Sequence, residues 1–249
     1  QLTLVVGEDN RTATYTSGDN STTLVFQYTI QPLETDTGGI SIRANALALN
    51  SGTIMDPAGN NATLTHIAVL DNSSYMVDTE APRVDNFTLS DTALKIGDNA
   101  TVNLGFSEAV IEFIAADITN PNGLLPSMTS TDNITWTGTF TPTANTEDDN
   151  NTLSLATSYT DTAGNTGPAA TTLNYVVDTT APTVSSISTT ADNQSSVSIT
   201  DNITVTFSEA MEPSYITTST SDTFCAGNIR VSSDNFSSCV RMSPGPVRS

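Results

Sequence analysis

Apolar and polar residues alternate along most of this chain, and an apolar stripe at helical spacing is almost absent. In ATVNLGF (100–106) the alternation turns Val102, Leu104 and Phe106 inward and Thr101 and Asn103 outward. ITWTGTF (134–140) places Ile134, Trp136 and Phe140 on one face, and LSLATSY (153–159) does the same for Leu153, Leu155 and Tyr159. LNYVV (173–177) offers Leu173, Tyr175 and Val177. Runs of this period predict strands with one buried face. Turn-forming clusters separate them: IGDN at 96–99, NPNG at 120–123, EDDNN at 147–151 and AGNTG at 163–167. ITVTF (203–207) repeats the pattern of 100–106, and only EAVIEFIAADI (108–118) can carry a helical turn. The expected fold is all-β, built of small antiparallel sandwiches.

Three markers recur. YMVDTEAP at 75–82 returns as YVVDTTAP at 175–182, FSEAV at 106–110 as FSEAM at 207–211, and DPAGN at 56–60 as DTAGN at 161–165. All three intervals are near 100 residues, the size of one immunoglobulin-like sandwich. Pro82 and Pro182 fix the backbone and remove a donor, which ends one sheet and stiffens entry to the next. The expected domains are therefore 1–80, 81–180 and 181–249. The first lacks an FSEA and the third lacks a D-x-A-G-N, so both are read as incomplete. The opening QLTLVVG already reads as a strand and the closing MSPGPVRS as nothing regular, so the chain is expected to be a segment of something longer.

Composition adds a charge. Twenty-seven acids face seven basic residues, a formal net of −20. Such a surface repels nucleic acid and anionic lipid and attracts cations; it also keeps a secreted protein in solution with no further role. No apolar run reaches the roughly 20 residues of a membrane helix, so no membrane insertion is expected in this segment.

Where the acids fall is more informative. In a seven-stranded sandwich the strand ending at Glu108, the turn holding Asp161 and Asn165, and the entering linker with Asp78 share one pole. Carboxylates held together repel unless a cation or proton intervenes, and an all-oxygen set suits calcium, with six to eight loosely arranged ligands. Calcium there would replace linker freedom with a rigid joint. Asp178 and Glu209 repeat the arrangement at the next junction without a third partner. A plainer reading stands beside this one: Asp and Asn favour turns because they bond their own backbone, and loops gather at a pole in any sandwich.

The markers YMVDTEAP, FSEAV, DPAGN, DTAGN and YVVDTTAP resemble the tandem bacterial immunoglobulin-like repeats of large surface adhesins, across essentially the whole chain. The stretch from TVTFSEAM to FSSCV is similar to the immunoglobulin-like repeats of a surface-layer protein. The resemblance implies β-sandwich modules, an extracellular or cell-surface location, and calcium between modules, with Asp78, Glu108 and Asp161 as first ligands. It implies neighbouring repeats as partners, and a host or surface protein or glycan bound through distal domains. The expected role is a spacer stiffened by calcium. The alternatives are a carbohydrate- or protein-binding module and a non-catalytic appendage of a secreted hydrolase.

Cys225 and Cys239, 14 residues apart, are expected to form a disulfide in an oxidising setting. With one histidine and no C-x-x-C, a zinc site is not expected. That histidine, His66, sits in the strand-like TLTHIAVL and should face solvent. Trp136 and Tyr159 are read as core. Asn-x-Ser/Thr triplets are too common in so polar a chain to mark glycosylation. No nucleophile elbow, H-E-x-x-H or phosphate loop is present, and strings of small sandwiches offer little concavity, so catalysis is not expected.

Overall fold

The computed structural model describes residues 1–189, 203–221, 224–232 and 235–242, and most of the alternating runs in them are realised as strands. The fold is all-β, and the chain separates into two units, Gln1–Thr180 and Ala181–Ser249. Among the described residues no helix is long and apolar enough to cross a membrane.

The first unit begins with β1 (Leu2–Val6), β2 (Asp9–Ser17) and β3 (Val25–Gln27), an antiparallel sheet in that order. β4 (Thr35–Asp36) pairs with β5 (Val77–Asp78), which leads into the linker. Few apolar side chains are buried here: Val6, Ala13 and Val77. Polar burial does part of the work. The Glu34 carboxylate is buried against Arg11 Nε, Tyr28 Oη and the Gln31 N–H, so its charge is paired and hydrogen-bonded. TLTHIAVL forms no strand, only an isolated bridge from Val69 to Ile42. His66 is half-buried rather than solvent-facing. Its Nε2 accepts from the Ala46 N–H at 2.9 Å, which leaves Nδ1 to donate to the Ile67 carbonyl at 2.7 Å.

A sandwich follows. Its strands are β6 (Val84–Leu89), β7 (Ala93–Lys95), β8 (Ala100–Phe106), β9 (Val110–Ile111), β10 (Ile118–Thr119), β11 (Gly123–Leu124), β12 (Thr135–Pro142), β13 (Glu147–Asn151), β14 (Ser154–Leu155), β15 (Thr160–Asp161), β16 (Ala170–Thr171) and β17 (Tyr175–Asp178). One sheet has the order β11-β12-β8-β6; facing it are β13-β17-β7, with β17 and β7 parallel, β10-β14-β16, and the pair β15-β9. Val102, Leu104, Phe106, Phe140, Leu153, Leu155, Tyr159, Tyr175 and Val177 fill the space between, as alternation requires. Trp136 packs at the edge of this core, edge-on to Phe113 at 4.9 Å between centroids. One helical turn, Ala115–Asp117, falls inside 108–118.

Three sequence readings of this sandwich are corrected. Leu173 is 84% exposed, because the chain changes sheets between β16 and β17; Thr172 is buried in its place and its Oγ1 accepts from the Leu153 N–H. The phase slips by one residue where the ladder breaks. Ile134 likewise lies outside β12 and is 36% exposed. EDDNN is strand β13, not a turn. Its ladder partner β17 overrides its poor strand propensity, and a bulge between Asp148 and Asn151 lets Asn151 turn inward to the Tyr175 carbonyl.

In the second unit β18 (Val184–Thr189) and β19 (Ile203–Phe207) form an antiparallel pair. It repeats the β6–β8 pairing down to a register shift at the same place, after Val84 in one and after Val184 in the other. Cys225 and Cys239 are disulfide-bonded.

Candidate functional site

The recurring markers build the same local geometry twice. In each junction the aspartate accepts from the backbone N–H two residues on: Asp78 from Glu80 at 3.0 Å, Asp178 from Thr180 at 3.2 Å. The serine of each FSEA clasps the residue after the junction proline. Ser107 Oγ accepts from the Arg83 N–H and its own N–H donates to the Arg83 carbonyl; Ser208 does both with Thr183. These serines were missed in the sequence reading. The signal was there, since each FSEA follows a D-T-x-A-P at nearly the same spacing.

The D-x-A-G-N motif is also a self-contained turn. Asp161 Oδ1 accepts from the N–H of Ala163 and of Asn165, both at 2.8 Å, while Oδ2 accepts from Asn165 Nδ2 at 2.7 Å. Asp56 makes the same three bonds with Ala58 and Asn60. Turn chemistry therefore accounts for one lone pair or more on each oxygen of Asp161.

Tertiary pairing then gathers the acids. β15 sets Asp161 opposite Val110, two residues beyond Glu108, and the Ser107–Arg83 clasp draws the linker alongside. One carboxylate oxygen from each of Asp78, Glu108 and Asp161 lies within 4.8 Å of the others. Asp161 is buried and Glu108 half-buried, while Asp78 is more open. Desolvation, then the charges of Asp78, Asp161 and Glu80, push the Glu108 carboxyl above its ordinary range, with Arg83 opposing.

The donor set fits a hard cation. All three groups are oxygen donors, with no nitrogen or sulfur among them. Two oxygens on one calcium at about 2.4 Å can stand no more than about 5 Å apart, and these three satisfy that limit. Asn165 reaches the site, but as a donor. Its Nδ2 faces Asp161 Oδ2 (2.7 Å) and the carbonyls of Asp78 (3.1 Å) and Glu80 (3.2 Å). Asp178 ends β17 exposed, and Glu209, half-buried, follows β19 in the other unit.

Residues 78–177 match a family described as a bacterial Ig-like domain, and residues 178–243 match a second family of the same description. No curated protein and no solved structure matches the chain.

Proposed function

We propose, from the premise that two bacterial Ig-like domains stand in tandem over residues 78–243, that the chain is a spacer segment of a secreted or cell-surface adhesin-like protein whose joint at residues 78–80 is stiffened by calcium. Domains of this class are in general non-catalytic structural modules found outside the cell or on its surface. The observation that carries the calcium reading is the approach of Asp78, Glu108 and Asp161 to within 4.8 Å, with the Glu108 carboxyl pushed above its ordinary range first by burial and then by the neighbouring acids. A divalent cation offsets that repulsion. Calcium suits the loose, carboxylate-rich set better than magnesium, which demands a tight octahedron and keeps its waters.

Calcium titration of the full chain, followed by calorimetry and small-angle scattering, tests the proposal. At free calcium about 100 times Kd, linkage adds about 2.7 kcal/mol to stability. The melting temperature rises and the particle becomes longer and stiffer, and an Asp78→Ala, Glu108→Ala double substitution abolishes both changes. Identical melting in calcium and in EGTA leaves turn formation as the whole role of these acids.

A further inference from the structure

The linker is gripped from both sides by groups that are not acids. On one side Thr79 Oγ1 donates to the Glu34 carbonyl at 3.0 Å, and Glu34 is itself anchored by Arg11, Tyr28 and the Gln31 N–H. On the other, Asn165 Nδ2 meets three acceptors with two hydrogens. One goes to Asp161 Oδ2; the other is shared between the carbonyls of Asp78 and Glu80, which bracket Thr79. Asn165 lies 85 residues or more from these partners in sequence, so the contact is made only when the sandwich is folded and the linker docked.

We propose that Asn165 and Thr79 form a cation-independent staple that sets the direction of the linker before any metal arrives, leaving a cation to relieve the repulsion among acids already in place. Each bond is an ordinary neutral one: Asn165 holds the carbonyls on either side of Thr79, and Thr79 Oγ1 holds the Glu34 carbonyl. Rotation about the linker must break at least one and expose a carbonyl that was paired. An internal control exists. Asn60 makes the same bonds to Asp56 that Asn165 makes to Asp161, and among the described residues its Nδ2 has no further bond to a linker carbonyl.

The test is a distance distribution across the joint in the full chain in EGTA, so that it stands apart from the calcium reading. Spin labels go on Thr14→Cys in β2 and Thr139→Cys in β12, both exposed, and the described cysteines are already paired with each other. The unsubstituted joint is expected to give one peak in EGTA, narrow beside those of the Asn165 and Thr79 variants and narrowed further by calcium. Asn165→Ala and Thr79→Val each lose it, and Asn60→Ala keeps it. Fluorescence of Trp136, the sole tryptophan, reports whether the sandwich remains folded in each variant. A broad peak in the parent chain in EGTA overturns the proposal, as does a narrow one in a folded Asn165→Ala chain.

Discussion

The turns at 56–60 and 161–165 are the same object in two settings. Each has an aspartate accepting from the N–H groups two and four residues on, an asparagine amide on its second oxygen, and a bridge closing the ends, Met55 to Asn61 in one and Thr160 to Thr166 in the other. The glycine has φ near +90° in both, 89° at Gly59 and 95° at Gly164. Yet Asp56 is exposed, whereas Asp161 is buried beside Glu108 and Asp78. Five residues suffice to make the turn. What lies behind it decides whether the turn is only a turn or the wall of an acidic site.

Three measurements sharpen that contrast. The largest effect concerns the residue two before each aspartate. Tyr159 is fully buried against Phe106 and donates its hydroxyl to the Pro168 carbonyl, so Tyr159→Ala should cost about 3–5 kcal/mol in denaturant unfolding followed by Trp136 fluorescence. Ile54, its counterpart, is half-buried, and Ile54→Ala should cost far less. Equal costs would mean that the core does not distinguish the two turns.

Next come the glycines. A Cβ at Gly59 or Gly164 meets nothing within 4 Å, so only the positive φ opposes a side chain. Gly59→Ala and Gly164→Ala should therefore each cost about 1–2 kcal/mol. A clear difference between them would show that the turn is not locally encoded.

The smallest effect is on pH dependence in EGTA. A carboxyl raised on folding binds its proton more tightly in the folded chain, so stability rises as pH falls through the Glu108 folded pKa. Asp56 is held low, first by the Asn60 amide, and Asp98 by Lys95; their contribution is present above the ordinary carboxylate value and is lost as pH falls through their folded values. Melting temperature should climb slightly on acidification from neutrality and then fall, and Glu108→Gln should remove the climb. A parent curve that only falls would mean that the acids near Asp161 do not burden the folded state.

Much of this was legible in the chain. Period-2 alternation gave the strands around Val102, Leu104, Phe140 and Tyr175 because a pleated backbone sends successive side chains to opposite faces. The markers 100 residues apart were likewise sufficient to recognise tandem Ig-like repeats. Leu173, Ile134 and EDDNN were misread at ladder breaks or where a neighbouring strand imposed pairing on residues that prefer turns. His66 was misplaced because the Ala46 N–H that binds it lies 20 residues away.

The division has a physical basis. Turns and capping bonds within D-T-x-A-P and D-x-A-G-N span two to four residues, within reach of a short segment's own donors and acceptors, and so sequence alone determined them. The register setting Asp161 opposite Val110, and the sharing of Asn165 between its turn and the linker, depend on backbone ladders closed across 50 residues or more. Only the folded sandwich selects among the many pairings such separations allow.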